Sequence, residues 1–248
     1  MWPFGQHYLV YAIYGGYYLV YTFFYILILA LILRSQDRSS RSCVRLWILA
    51  CVVAAISGVN GVKQLMVFHA PLLLASAIVL ALALHDCGKT EWRGALAACR
   101  AQVRLFVASI LTAAACAAGY FLSNSVLSKL YDVKSYNFIA WNRSDDWFTL
   151  DRVIMDFFHE FGYQNGALLF HFSGIATGIG LLLGVFMAFC MVRLLLRLRT
   201  LRTTDQILVL LLICMVAVCG VCYTYFQEYY LYFWLMNLPI GIAVMAVE

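Results

Sequence analysis

Seven apolar runs set the terms for this chain. They cover about residues 8–33, 46–60, 65–84, 105–123, 174–192, 207–226 and 229–247. About 20 helical residues cross the hydrocarbon core of a bilayer, so most of these runs are long enough to span one. The second is short and ends in Ser57-Gly58-Val59-Asn60-Gly61, which suits a tilted, broken or re-entrant segment. Of 248 residues, 65% are hydrophobic and 12% are charged, with a mean hydropathy of +0.87. Soluble domains sit near about 45–50% apolar and about 25% charged. The balance excludes an ordinary soluble domain, a disordered chain and a nucleic-acid binder. The expected fold is all-α: a polytopic transmembrane bundle of about seven spans. Residues 1–7 lack the basic start of a secretory signal.

The basic residues alternate between connections. Arg34, Arg38, Arg41 and Arg45 follow the first run; Lys89, Arg93, Arg100 and Arg104 follow the third; Arg193, Arg197, Arg199 and Arg202 follow the fifth. These make 12 of the 17 Lys and Arg residues, while the other side holds Lys63, Lys129, Lys134, Arg143 and Arg152 with seven of the twelve acids. The positive-inside rule then orients the chain in a plasma (inner) membrane with its N-terminus outside and its C-terminus at the cytoplasmic face. The net charge of +5 is therefore read as topology rather than as a mark of an anionic partner. Three regions follow: residues 1–123 with four spans, an outer segment 124–173, and residues 174–248 with three spans.

The outer segment holds the long polar stretch. Within it Ile154, Phe157, Phe158 and Phe161 recur at i, i+3, i+4 and i+7, the spacing of one helical face. Thr149 suits the cap, Asp151 the first turn and Gly162 the stop. An amphipathic helix lying on the outer membrane surface is expected. Asp145, Asp146, Asp156, His159 and Glu160, with Glu228 between the last two spans, form the candidate outer-face polar cluster. Carboxylates of this kind suit acid–base work or a hard divalent cation. Arg152 pairs in register with Asp156, however, and His159-Glu160 is not an HExxH site because position 163 is Tyr. No metal or other cofactor is called for, and a solvated helix face explains the same residues. Asn142-Arg143-Ser144 matches a glycosylation sequon and decides nothing.

The spans carry no Asp, Glu, Lys or Arg at their centres, which weighs against proton-coupled transport. Tyrosines at 11, 14, 18, 21 and 25 fall on one stripe of the first span, and Tyr229 and Tyr230 lie at the outer junction of the last two. An interfacial aromatic belt accounts for them. The sharper reading makes Tyr11, Tyr14, Tyr18, Tyr21, Tyr229 and Tyr230 the lining of a groove for a lipid or lipid-linked sugar, since buried phenols need partners. His69 and His85 lie toward opposite ends of the third span, where a structural role is expected. Six of the nine cysteines fall in apolar runs and read as small packing residues, the lone Cys219-x-x-Cys222 pair included. Gly174-xxx-Gly178, Gly180-xxx-Gly184 and Ala114-xxx-Ala118 allow close helix approach.

Several stretches carry a family resemblance: Gly5-Gln6-His7-Tyr8, Ser57-Gly58-Val59-Asn60-Gly61-Val62-Lys63, Ala70-Pro71-Leu72-Leu73-Leu74, Gly119-Tyr120-Phe121-Leu122-Ser123-Asn124 and Phe161-Gly162-Tyr163-Gln164. Together they resemble the C-terminal membrane halves of bacterial multi-pass proteins that are similar to the GT-C-type glycosyltransferases, which use lipid-linked sugar donors. The resemblance implies handling of a polyprenyl-linked sugar at the outer leaflet. The chain departs from the family where such enzymes carry an acidic motif in their first outer loop: its first connection is Arg34-Ser35-Gln36-Asp37-Arg38. No residue takes the catalytic carboxylate role by motif. A C-terminal piece of a longer protein, or a shortened relative lacking the catalytic half, fits this pattern. Two further readings stand beside it: a non-enzymatic scaffold whose outer helix docks another membrane subunit, and a transporter of a neutral or lipidic solute. Membrane lipids are partners in all three.

Overall fold

The computed structural model describes residues 16–36, 40–88, 92–130, 170–225 and 232–247. Every regular element among them is helical, with no strand. The helices are α1 (Gly16–Gln36), α2 (Ser40–Val59), α3 (Ala70–Cys87), α4 (Trp92–Ala98), α5 (Arg100–Leu122), α6 (Phe172–Leu196), α7 (Thr203–Tyr225) and α8 (Tyr232–Val247). A π-helical turn, Leu65–His69, leads into α3, and a second, Ser123–Leu127, extends α5 toward a final turn at Ser128–Leu130. Four stretches are long and apolar enough to cross a bilayer: Arg41–Val59, Leu65–Cys87, Arg100–Leu130 and Thr177–Leu196. The chain is thus an all-α, multi-pass membrane protein.

Two boundaries move relative to the apolar runs. The second span is unbroken helix from Ser40, so Arg41 and Arg45 lie within α2 rather than before it. The fourth continues past residue 123 to Leu130, into the stretch read as the start of the polar segment. Long basic side chains carry their charge to the membrane surface from inside a helix, so polarity marks the edge of the hydrocarbon and not the end of the helix. The expected surface helix around 149–162 lies outside the described residues.

The chain divides into two compact units. The first comprises Tyr21–Tyr136 and Leu198–Met215; the second comprises Met1–Val20, Asn137–Arg197 and Val216–Glu248. In the second unit α6 packs on α8, and a Cβ built on Gly241 would stand 2.6 Å from the Met187 sulfur. Gly178, singled out by its GxxxG spacing, has open space where a Cβ would go, so it makes no close helix approach.

In the first unit α2 and α5 form the most intimate pair. Trp47, Ala50 and Cys51 lie beside Ala108, Leu111 and Thr112, and Ala55 and Gly58 lie beside Cys116 and Gly119, so the two helices run parallel. Their backbones touch. A Cβ on Gly58 would fall 2.0 Å from the Cys116 carbonyl oxygen, and one on Gly119 would fall 2.0 Å from that of Ala55. Only glycine permits such an approach, and without water between helices this van der Waals contact is what holds them. Ser57 Oγ donates to Ala54 O at 2.8 Å and lies 3.9 Å from Cys116 Sγ at the same crossing. α1 joins at one end through Trp47 Nε1, which donates to Ser35 Oγ at 2.9 Å. α3 ends on Gly88 in the left-handed conformation (φ 58°), the usual residue for closing a helix.

The ends of this unit differ chemically. Gln102 at the start of α5 donates to Thr203 at the start of α7 (3.0 Å), and Arg199 pairs with Asp86 at the end of α3 (3.7 Å). Arg34, Arg41, Arg45, Arg100 and Arg104 occupy the same helix ends. The opposite end, where α1 starts and α2 meets the π turn before α3, carries the polar cluster described next. Between the ends the outward faces are apolar, with Phe23, Ile48, Val52, Ile56 and Leu74 all at least half exposed, as a lipid-facing surface requires.

Candidate functional site at the polar end of the first unit

The site is built by the bend between α2 and α3. Asn60 and Gly61 close the end of α2, their N–H groups bonding back to Ser57 O and Gly58 O. Gly61 has φ 124°, a conformation side-chain-bearing residues rarely adopt. Tyr21, from α1, covers this bend: it is buried, and its hydroxyl donates to Asn60 O at 2.7 Å. Gln64 Nε2 in turn donates to Tyr21 O at 3.4 Å.

The π turn follows from Pro71. Proline has no N–H to offer Val67, and its ring presses on that carbonyl. The preceding turn widens, and the Ala70 N–H reaches back to Leu65 O. In this register backbone hydrogen bonds join residues five apart rather than four. Gln64 and His69 are five apart. Val67, Phe68 and His69 all face inward. Phe68 stacks on Tyr25 with ring centroids 5.4 Å apart and meets the His69 ring edge-on at 5.1 Å.

Gln64 and His69 both have no exposed surface. Gln64 Oε1 and both ring nitrogens of His69 are buried without a hydrogen-bond partner. His69 stands four residues, about 6 Å, inside the span that starts at Leu65. Buried polar groups are nearly always paired, because each unmatched one costs about 1–3 kcal/mol, so exceptions ask for an explanation. Lys63 lies on the connection outside that span and is half buried; desolvation lowers its ammonium below the ordinary value of 10.5. Among the described residues no three His, Cys, Asp or Glu side chains stand close enough to share a metal ion.

The residues singled out by sequence distribute unevenly over this picture. Tyr21 is in the cluster, with Tyr25 buried behind it. Tyr18 lies in α1. Tyr11, Tyr14, Asp145, Asp146, Asp156, His159, Glu160, Glu228, Tyr229 and Tyr230 lie outside the described residues. His69 is in the cluster and His85 is not, being exposed beside Asp86 at the arginine end. Asn60, Lys63 and Gln64 were not picked out as site residues; Pro71 inside an apolar run was the available signal for the widened turn that buries Gln64.

The chain matches no family model, no curated protein and no solved structure.

Proposed function

We propose that this multi-pass protein holds the polar head of a membrane amphiphile, a polyprenyl-linked sugar, at the outer leaflet, as a glycosyltransferase-like membrane part. The observation that carries the reading is the cluster of buried Tyr21, Gln64 and His69 beside the Asn60 carbonyl, at the end of the first unit opposite its arginines. Polar groups placed at membrane depth are costly and mark functional sites. With the arginine end cytoplasmic, the cluster faces the outer leaflet, and the seven-span reading, with its amphipathic surface helix, belongs to the same proposal.

The cluster itself contains no carboxylate. Sugar transfer would need carboxylates from elsewhere. Holding the lipid-linked substrate is the part of the task assigned to the described residues.

Native mass spectrometry of the protein from nanodiscs doped with a polyprenyl-phosphate sugar tests the reading. Retention of that lipid, weakened at least tenfold in Gln64→Leu, is the expected result. Retention no greater than that of bulk phospholipid would refute it. Orientation is tested separately: an impermeant thiol reagent labels Asp145→Cys in intact cells if this side is outer.

A further inference from the structure

We propose that Gln64 and His69 form a binding site for a neutral, hydroxyl-bearing group, the sugar ring of the amphiphile rather than its phosphate. The inference rests on the outer-leaflet reading above and sharpens it.

The argument is a count of donors and acceptors. Three atoms are unmatched: Gln64 Oε1 and the two ring nitrogens of His69. Oε1 only accepts, and a neutral imidazole has one N–H donor and one accepting nitrogen. The three atoms therefore ask for two donors and one acceptor. A phosphate offers acceptors alone, so it would satisfy one of the three and set its oxygens against two others. An ammonium offers donors alone and leaves the ring N–H unmatched. Hydroxyl groups both donate and accept, so a hydroxyl at each position satisfies all three atoms.

The surroundings favour the same class. Phe68 meets the histidine edge-on and is itself stacked on Tyr25, so the histidine's ring neighbour is apolar. Gln64 caps the π turn at its start and His69 closes it, and both side chains are fully buried. Tyr21 already uses its hydroxyl on Asn60 O, and Gln64 uses its amide nitrogen on Tyr21 O. The amide is thereby fixed with its oxygen as the open atom. A bound water also both donates and accepts, and the test separates it from a sugar.

The protein, labelled with ¹⁵N-histidine and held in phosphatidylcholine nanodiscs, is titrated with octyl β-D-glucoside and separately with octyl phosphocholine. Both are kept below their micellar concentrations. His69→Gln identifies the His69 resonances. The expected result is a saturable movement of the His69 ring nitrogens with the glucoside and none with the phosphocholine. Gln64→Leu should raise the apparent dissociation constant at least tenfold. No saturable movement, an equal response to phosphocholine, or an unaltered constant in Gln64→Leu would overturn the proposal, the first of these leaving water as the occupant. The titration of the unmodified protein does not depend on any variant folding. If the glucoside moves His69 while no polyprenyl-linked sugar is retained, the site stands and the outer-leaflet reading falls. If that lipid is retained above bulk phospholipid and lost in Gln64→Leu while the glucoside leaves His69 unmoved, the reading stands and this site falls.

Discussion

Replacing Gly119 by alanine tests how tightly α2 and α5 are pressed together. The new methyl carbon would lie 2.0 Å from Ala55 O, 2.8 Å from its carbonyl carbon and 3.1 Å from its Cα. Ordinary contact begins at 3.4 Å, so the pair must open by about 1.4 Å. The obstacle is backbone in the middle of a helix and has no rotamer to escape into. A gap of 0.5–1 Å already forfeits about a quarter to a half of a contact's dispersion energy. Overpacking of this kind costs about 1–3 kcal/mol, and an immovable neighbour puts the cost in the upper part of that range. At about 1.4 kcal/mol per tenfold, a loss of 2–3 kcal/mol is roughly a 30- to 150-fold fall in the folding equilibrium. Gly58→Ala meets Cys116 O at the same distance and should cost about as much. The two should not add, because helices already forced apart by one methyl have room for the other. Reversible unfolding in mixed micelles, followed by thiol labelling of the buried Cys43, Cys99 and Cys116, gives all three values. Single variants within about 0.5 kcal/mol of the parent, or a double variant equal to the sum of the singles, would refute the close backbone contact.

Tyr21→Phe removes the donor to Asn60 O while keeping the ring, and should cost about 1 kcal/mol in the same unfolding assay; an unchanged midpoint would mean that this bond does not hold α1 to the bend. Lys63→Met should stabilise the protein at neutral pH. Its ammonium is penalised by desolvation in the folded state, so the unfolded state holds the proton more tightly. Stability of the parent should therefore rise with pH over the window below about 10.5, where the two states differ in protonation. The advantage of Lys63→Met should shrink over that window, and a difference independent of pH would exclude this cause.

The helical, membrane-crossing character of the chain was legible because the apolar runs leave no other fold in which backbone groups are satisfied. The arginine clusters were equally plain, and in the first unit they gather at one end. Helix limits were less legible: Arg41, Arg45, Arg100 and Arg104 lie inside helices. The α2–α5 crossing was not legible for a different reason. Of the spaced small residues, Gly178 faces open space and Ala114 and Ala118 are exposed, while single glycines on two separate helices, Gly58 and Gly119, make the contact. Which small residues meet depends on the three-dimensional pairing of helices, and no periodicity within one helix contains it. The polar site was half visible. Tyr21 and His69 drew notice by residue type, whereas Gln64 enters by its hydrogen bond to the Tyr21 carbonyl, 43 residues away in sequence, which no local pattern anticipates.

The turn at Leu65–His69 holds one residue more than an ordinary helical turn would. Losing that surplus residue would shorten the segment by only about 1.5 Å, a trivial change against the thickness of a bilayer, but would swing everything ahead of it by about 100° relative to α3. The chain could still reach across the lipid, yet Gln64 and the bend that holds Tyr21 would point elsewhere. In this corner of the protein, phase is far less forgiving than length.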